Sequence, residues 1–459
     1  MMNQRSNFTS KIGFVLAAAG SAVGLGNLWR FPYLAAQHGG GTFLLVYLIL
    51  AVTFGFALMI AEIAIGRKTG LSAIGAFKAL DKRFGFLGVL ASAVPIIILP
   101  YYCVIGGWVS KFFATYAISG AQLVAEHTVI NGKELAFFQV FVSKIGEPIG
   151  WFCLFVGLTA IIVLFGVEKG IEKVSKVMMP ILVVLTVGIA AYVVTRPSAL
   201  EGVIYYLKPN FKNFSITTIF AAMGQLFYSM SLAMGIMVTY GSYMKKENHL
   251  ESSVRQIELF DTAIAFSAGL MIVPAAYSSI VNGQTKPGPT LMFITLPEVF
   301  KEMPMGSLIG AVFFLLVFLA ALTSSISLME TIVSIVLDKT KFGRKTACII
   351  VTAFTLLVGI PSALGFNIWS HIRPLGLDDI LTFFDFVSNS VMMPIIAFFT
   401  CVIIGFIIKP KAIVDEVKAT DGTFKSEKLF TVMIKWIAPV FILGILCFSV
   451  AEGMGWITV

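Results

Sequence analysis

The 459-residue sequence predicts an all-α polytopic membrane fold of eleven transmembrane helices, built as two inverted five-helix repeats in which helices 1 and 6 are broken. Three observations carry this. The composition is 58% hydrophobic and 12% charged, far from the roughly 25% charged content of soluble domains. Apolar runs of about 20 residues, each enough to span a hydrocarbon core, recur along the chain. Two of these runs, the first and the sixth, are interrupted by glycines and polar residues, and a separation of five spans is what an inverted repeat with leading discontinuous helices produces.

The spans fall near 11–36, 41–67, 86–119, 148–166, 173–195, 212–241, 254–282, 305–338, 345–366, 379–409 and 429–455. The first repeat then covers 11–195, the inverted second repeat 212–409, and an extra helix 429–455 completes a single transmembrane unit over 1–455. Most of the 33 Lys and Arg, including Arg67, Lys68, Lys82, Arg83, Lys245, Lys246, Arg344 and Lys345, lie on one side. By the bias of basic residues toward cytoplasmic loops, that side is inside; the N-terminus is expected inside and Val459 outside. The net charge of +9 is therefore topological and points to no nucleic-acid partner. The connections, the longest near 120–147 and 283–304, are too short for a soluble core. The first apolar run is polar in its middle and has no small-residue cleavage site, so no cleavable signal peptide is expected. The five cysteines form no CxxC and the four histidines are scattered, which excludes a zinc or histidine-based catalytic cluster.

Span 1 contains "GSAVGLGNLWRF", Gly20 to Phe31. Glycine destabilises a helix by about 1 kcal/mol relative to alanine, and backbone freed inside lipid must find other partners. Freed carbonyls suit a hard cation, and N–H groups at the start of the second half-helix suit a carboxylate. Close packing of helices through small residues is the alternative use of such glycines. Span 2 carries Glu62, placed to accept hydrogen bonds from unwound backbone. Span 5 opens with "GIEKVSKVMMP", where Gly170 and Pro180 mark either a hinge that unwinds or a static kink.

Span 6 is broken at "GQLFYSMSLAMG", with Ser229 and Ser231 at its centre. Span 7 holds Asp261 about two turns from its cytoplasmic end, able either to supply fixed negative charge to a cation or to snorkel or serve helix packing. Span 8 contains "LAALTSSISL", in which the Ala320 carbonyl and the hydroxyls of Thr323 and Ser324 can converge on one cation, or the hydroxyls can bond their own helix. Arg30 on the outer side of the first break and Asp385 near the outer start of span 10 can pair above the site, as a gate or as a static ion pair. Charges inside a membrane are rare enough that each of these is a functional candidate.

The motifs "AAAGSAVGLGNLWRFPYLA", "GQLFYSMSLAMG", "LAALTSSIS" and the opening "NQRSNF" resemble the neurotransmitter:sodium symporter family, in particular its bacterial LeuT-like amino-acid transporters. The resemblance implies the LeuT-like fold, two sodium ions, an amino-acid site between them and alternating access. One sodium would use the Ala22 carbonyl with Asn27, Ser229, Asp261 and the substrate carboxylate. The other would use Gly20, Val23 and Ala320 carbonyls with Thr323 and Ser324. Oxygen-only ligation suits a hard cation. The substrate backbone would meet Gly24, Leu25 and Gly26, with Tyr102 reaching its carboxylate, and Ala22, Ser229 and Ser324 also belong to the substrate site. Its side chain would face Ile98, Tyr228, Ser231, Met234 and Leu328.

Family members that carry amines place an aspartate where Gly24 stands, so an α-amino acid that brings its own carboxylate is implied. Met234 and Leu328 imply a neutral, hydrophobic or aromatic side chain. Three positions depart from the family pattern. Tyr228 replaces a lid phenylalanine, Asp261 replaces an asparagine, and Ala265 stands where chloride-dependent members have serine. A carboxylate at Asp261 can do a bound anion's electrostatic work, so chloride-independent symport is expected. Arg5 and Asp338, with Tyr243 nearby, resemble the cytoplasmic gate. The implied setting is the bacterial inner membrane, with the lipid bilayer and a small-molecule amino acid as partners; monomer and homodimer are equally compatible. A channel lacks support because no filter motif such as TVGYG occurs, and an enzyme because no nucleophile motif such as GxSxG occurs.

Overall fold

The computed structural model describes residues 7–130, 132–277, 289–454 and 456. Among these, nine helices are long and apolar enough to cross a membrane, and a tenth span is the bent pair α1 (Lys11–Ala22) and α2 (Gly26–Gln37), inclined at 54°. The nine are α3 (Gly41–Thr69), α4 (Lys82–Val124), α5 (Gly146–Leu164), α6 (Val167–Val194), α9 (Leu250–Ala275), α10 (Gly306–Lys339), α11 (Arg344–Leu364), α12 (Ile380–Ile407) and α14 (Glu427–Ala451). The span expected at 212–241 is not one helix. It divides into α7 (Ile216–Ser229) and α8 (Ile236–Ser242), separated by six residues of turn. By length and composition the described residues hold nine crossing helices, or ten with the bent pair, so the expected count of eleven is not reached, because the sixth run is divided into two short helices; the all-α polytopic fold stands.

The breaks have local causes. Ser10 caps α1 by accepting from the Gly13 N–H at 3.1 Å, and α1 stops at Ala22 before an extended Val23. Between α7 and α8, Ser231 (φ 52°), Ala233 (φ 59°) and Gly235 (φ 70°) adopt left-handed backbone. Two non-glycine residues in that region within three positions mark strain held by the surroundings. Glu62 on α3 supplies part of the restraint, its Oε1 accepting from the Ala233 N–H at 2.6 Å.

The core is a tight bundle around these breaks. Helices α4 and α10 pack along most of their lengths, and α8 lies directly on α3, where Gly66 and Gly241 leave no room for a Cβ against the facing backbone. Exposed apolar residues such as Val184, Leu259, Leu357 and Val440 lie outside the bundle, as hydrocarbon requires. The long connection after α4 is partly ordered as a hairpin of β1 (His127–Ile130) and β2 (Lys133–Ala136), antiparallel with His127 opposite Ala136. An amphipathic helix, α13 (Lys411–Asp421), buries Ile413, Val414 and Val417. Its Glu416 pairs with Arg67 of α3 at 2.9 Å and Lys246 at 2.6 Å, while Thr420 donates to the Lys246 carbonyl at 2.5 Å. Helix α13 therefore straps the end of α3 to the segment leaving α8.

Candidate functional site

The two breaks meet at the centre of the bundle. Ser231 Oγ donates to the Ser21 carbonyl at 2.9 Å, and the two serine hydroxyls lie 3.2 Å apart. A cavity opens here, and its walls contain all twelve residues expected around a substrate: Ala22, Gly24, Leu25, Gly26, Ile98, Tyr102, Tyr228, Ser229, Ser231, Met234, Ser324 and Leu328. Ser21 and Ile236 also line it. One half of the wall is polar and backbone-rich, from the α1–α2 break, Tyr102 and Ser324. The other is apolar, from Ile98, Met234, Ile236 and Leu328. That division matches a small molecule with a polar end and an apolar side chain.

Gly24 is fixed by crowding. A Cβ there would come within 2.7 Å of Ser324 Oγ and 3.0 Å of Tyr102 Oη, so an aspartate in its place does not fit without displacement. Gly26 likewise faces the Tyr228 ring with no room for a Cβ. Leu25 N–H donates to Tyr102 Oη at 3.4 Å, holding that hydroxyl beside the break.

Beside the cavity, sharing Ser229 with its wall, lies a buried polar cluster. Asp261 Oδ1 accepts from Asn27 Nδ2 at 2.7 Å and Ser229 Oγ at 2.7 Å, and Asp261 Oδ2 accepts from Tyr47 Oη at 3.3 Å. Asn27 Oδ1 in turn accepts from the Gly24 N–H at 3.0 Å. Asp261 and Asn27 are both fully buried, and burial of a carboxylate is favourable only with donors or a cation around it. The oxygens of Asn27, Ser229 and Asp261, next to the break at Ala22, form a hard donor set.

A second oxygen cluster lies between α1 and α10. Ser324 Oγ sits 3.4, 3.2 and 3.2 Å from the carbonyls of Gly20, Ser21 and Val23. Thr323 Oγ1 is 3.1 Å from both the Leu319 and Ala320 carbonyls. Thr323 thus makes the own-helix bond that membrane hydroxyls favour, whereas Ser324 turns across to the freed carbonyls of α1. A Cβ at Gly20 would meet Thr323 Cβ at 3.2 Å, so the two stand in contact. Among the described residues no group of three or more His, Cys, Asp or Glu is placed to hold a metal ion. A cation at this cluster would rest on carbonyls and hydroxyls, and one at the first cluster on the Asn27, Ser229 and Asp261 oxygens with Asp261 as the single carboxylate, which is hard-cation rather than soft-metal chemistry.

Above the cavity the expected Arg30–Asp385 ion pair is not made. The two residues line one cavity, but Arg30 lies over the Tyr228 ring, 5.7 Å from its centroid, and Asp385 Oδ1 accepts from Asn389 at 2.6 Å and Tyr101 at 3.1 Å. The space between them is the physical reason. Of the residues expected at the cytoplasmic gate, Arg5 lies outside the described residues. Asp338 accepts from Ser72 through its N–H at 3.0 Å and its hydroxyl at 2.5 Å, and Tyr243 Oη donates to Glu330 at 2.8 Å. Gly170 does not interrupt its helix. Val167–Glu172 is a π-helical turn leading into Lys173–Val194, which contains Pro180, so the segment is wound. Gly170 is needed there for close approach, since a Cβ would strike the Ile162 carbonyl.

Sequence reasoning missed four partners. Tyr47 carries no motif, and an aromatic in an apolar span ordinarily reads as packing. Glu330, fully buried in α10 and paired with Arg344, bore the same signal as Asp261, an ionisable residue inside a span. Glu172 bonds Thr9 through N–H (2.7 Å) and hydroxyl (2.6 Å), tying the start of α1 to the π turn of α6. The Arg67–Glu416 pair bridges 349 positions and leaves no local trace.

Comparison with known proteins follows the same geometry. The model of the sodium:neurotransmitter symporter family matches residues 5–129 and 130–455. An uncharacterised sodium-dependent transporter of Bacillus subtilis (strain 168) is 36% identical over 396 residues, 84% of this chain and 84% of its own length. An uncharacterised sodium-dependent transporter of Haemophilus influenzae is 33% identical over 454 residues, covering 96% of this chain and 97% of that one. The human sodium- and chloride-dependent GABA transporter 2 is 26% identical over 406 residues, 78% of this chain and 67% of its own. Among solved structures, that of MhsT in complex with L-phenylalanine superposes with a TM-score of 0.86 at 34% identity, covering 97% of this chain and 100% of that one.

Proposed function

The chain belongs to the sodium:neurotransmitter symporter family, a family of transporters and not enzymes, and on that premise we propose that it imports a neutral amino acid with a hydrophobic or aromatic side chain together with sodium. The observation that carries the substrate class is the cavity itself, polar at the α1–α2 break and apolar at Ile98, Met234 and Leu328. Gly24 contributes no carboxylate and a Cβ there would press on Ser324 Oγ and Tyr102 Oη, which supports a substrate that brings its own carboxylate. The L-phenylalanine bound by MhsT fits the same description.

Two sodium ions are assigned to the two oxygen clusters. The first takes the Ala22 carbonyl, Asn27, Ser229 and Asp261, with the substrate carboxylate completing its shell, so that amino acid and cation enter together. The second takes the Gly20, Val23 and Ala320 carbonyls with Thr323 and Ser324, bridging α1 to α10. Sodium moving inward gains about 2.3 kcal/mol per charge per 100 mV from the membrane potential alone, which supplies the driving force. The resident carboxylate of Asp261 makes a chloride ion unnecessary in this reading.

Access would alternate between an outer pathway closed by Arg30, Tyr228 and Asp385 and an inner one closed by Arg5, Asp338 and Tyr243. Gly170 and Pro180 serve as the hinge through which water reaches the second cation from the cytoplasm. The setting is the bacterial inner membrane, N-terminus inside, with 11–195 and 212–409 as inverted halves. Competition tests the substrate class: neutral amino acids should inhibit uptake of labelled leucine or tyrosine, and equal inhibition by lysine or glutamate would refute it.

A further inference from the structure

Tyr228 separates two cavities, and among the described residues it is the one side chain that lines both. Below it is the substrate cavity. Above it is a chamber between α2, α7, α12 and α14 whose polar groups are Arg30, Asp385, Asn389, Ser390 and Ser449. Hydrogen-bonding capacity in this upper chamber is left unused in a specific pattern. Asp385 accepts both of its bonds, from Tyr101 and Asn389, through Oδ1, which leaves Oδ2 available. Asn389 spends its amide N–H groups on Asp385 and Tyr101, and its Oδ1 is buried with no partner. A buried acceptor without a donor is unfavourable, so the arrangement favours any movement that delivers one.

The donors face these acceptors across the same chamber. Arg30 offers a guanidinium that makes no ion pair with Asp385, and Tyr228 offers a phenolic hydroxyl. The Tyr228 ring is seated against Gly26 below, while Arg30 lies over its face. A phenylalanine here would supply the same ring and the same cation–π surface but no donor.

We propose that Tyr228 is a gating residue whose hydroxyl, together with Arg30, donates onto Asp385 Oδ2 and Asn389 Oδ1 when the chamber above the substrate closes. The lid is then latched by hydrogen bonds to α12 as well as held by packing. The inference rests on the symporter reading and adds to it the polar latch that sets how long a bound amino acid stays enclosed. The hydroxyl acts through Asp385 and not on the substrate.

The test is the release rate of labelled L-phenylalanine from purified, sodium-loaded protein in four backgrounds: wild type, Tyr228→Phe, Asp385→Asn and the double variant. Removing the hydroxyl should speed release roughly fivefold in the wild-type background, the fold-change of one ordinary net hydrogen bond. In the Asp385→Asn background the same removal should change release little, because the pair acts as a unit. Equal acceleration in both backgrounds, or none in either, would overturn the latch. So would a lowered melting temperature of Tyr228→Phe in sodium without amino acid, which would mark a structural lesion instead of a gating one. A wild-type protein that binds no amino acid in sodium would overturn the symporter reading itself, on a separate readout.

Discussion

Asn27 and Asp261 stand 2.7 Å apart, Nδ2 to Oδ1, joining the broken first span to α9 in the buried centre of the bundle. Ser229, the last residue of α7, donates to the same carboxylate oxygen at 2.7 Å. Three elements therefore meet on one charge, and that charge is where a cation would register whether both broken helices are in place.

Replacing Asp261 with asparagine removes the charge while keeping the shape. The half-saturating sodium concentration for uptake should rise by at least about tenfold, since a fixed charge within 4 Å of a cation is worth several kcal/mol in a partly shielded site. Sodium-titrated uptake checks this. An unchanged sodium dependence would show that the carboxylate is not a ligand.

The strap formed by α13 is a stability element. The Arg67 side chain is wholly buried and Glu416 is its charged partner. Glu416→Ala leaves that guanidinium uncompensated and should cost about 3–5 kcal/mol, whereas the matched apolar pair Arg67→Met with Glu416→Leu should recover most of the loss. Thermal unfolding of the detergent-solubilised variants distinguishes the two.

The start of α6 yields a kinetic prediction. Pro180 cannot donate to the carbonyl one turn before it, and the π turn at Val167–Glu172 is a second weak point in the same helix. Replacing Gly170 and Pro180 with alanine should slow sodium release to the inside, read as efflux of radioactive sodium. Pro180→Ala alone separates hinge stiffening from the crowding that a Cβ at Gly170 would cause against Ile162.

The fold was legible because lipid leaves a chain few choices. Runs of apolar residues must be helices, and glycines with Asn27, Ser229 and Ser231 inside them must be breaks. Residues of the central cavity that sit on those breaks were legible for the same reason, whereas Ile98 and Tyr102 on α4 and Leu328 on α10 followed only from the family resemblance. What stayed hidden depends on tertiary contact. Tyr47 finds Asp261 only when α3 packs on α9, and Arg67 finds Glu416 only when α13 folds back. The separation of Arg30 from Asp385 reflects the open chamber between them, and a sequence records which residues can pair but not which arrangement is adopted.

The most direct test of sodium-coupled amino-acid import is uptake of a panel of labelled amino acids into proteoliposomes, with and without an inward sodium gradient and with chloride replaced by gluconate. The account predicts concentrative uptake of a neutral hydrophobic or aromatic amino acid that requires the sodium gradient and persists in gluconate. Uptake that ignores the sodium gradient would contradict coupled symport, and uptake abolished in gluconate would contradict the role given to Asp261.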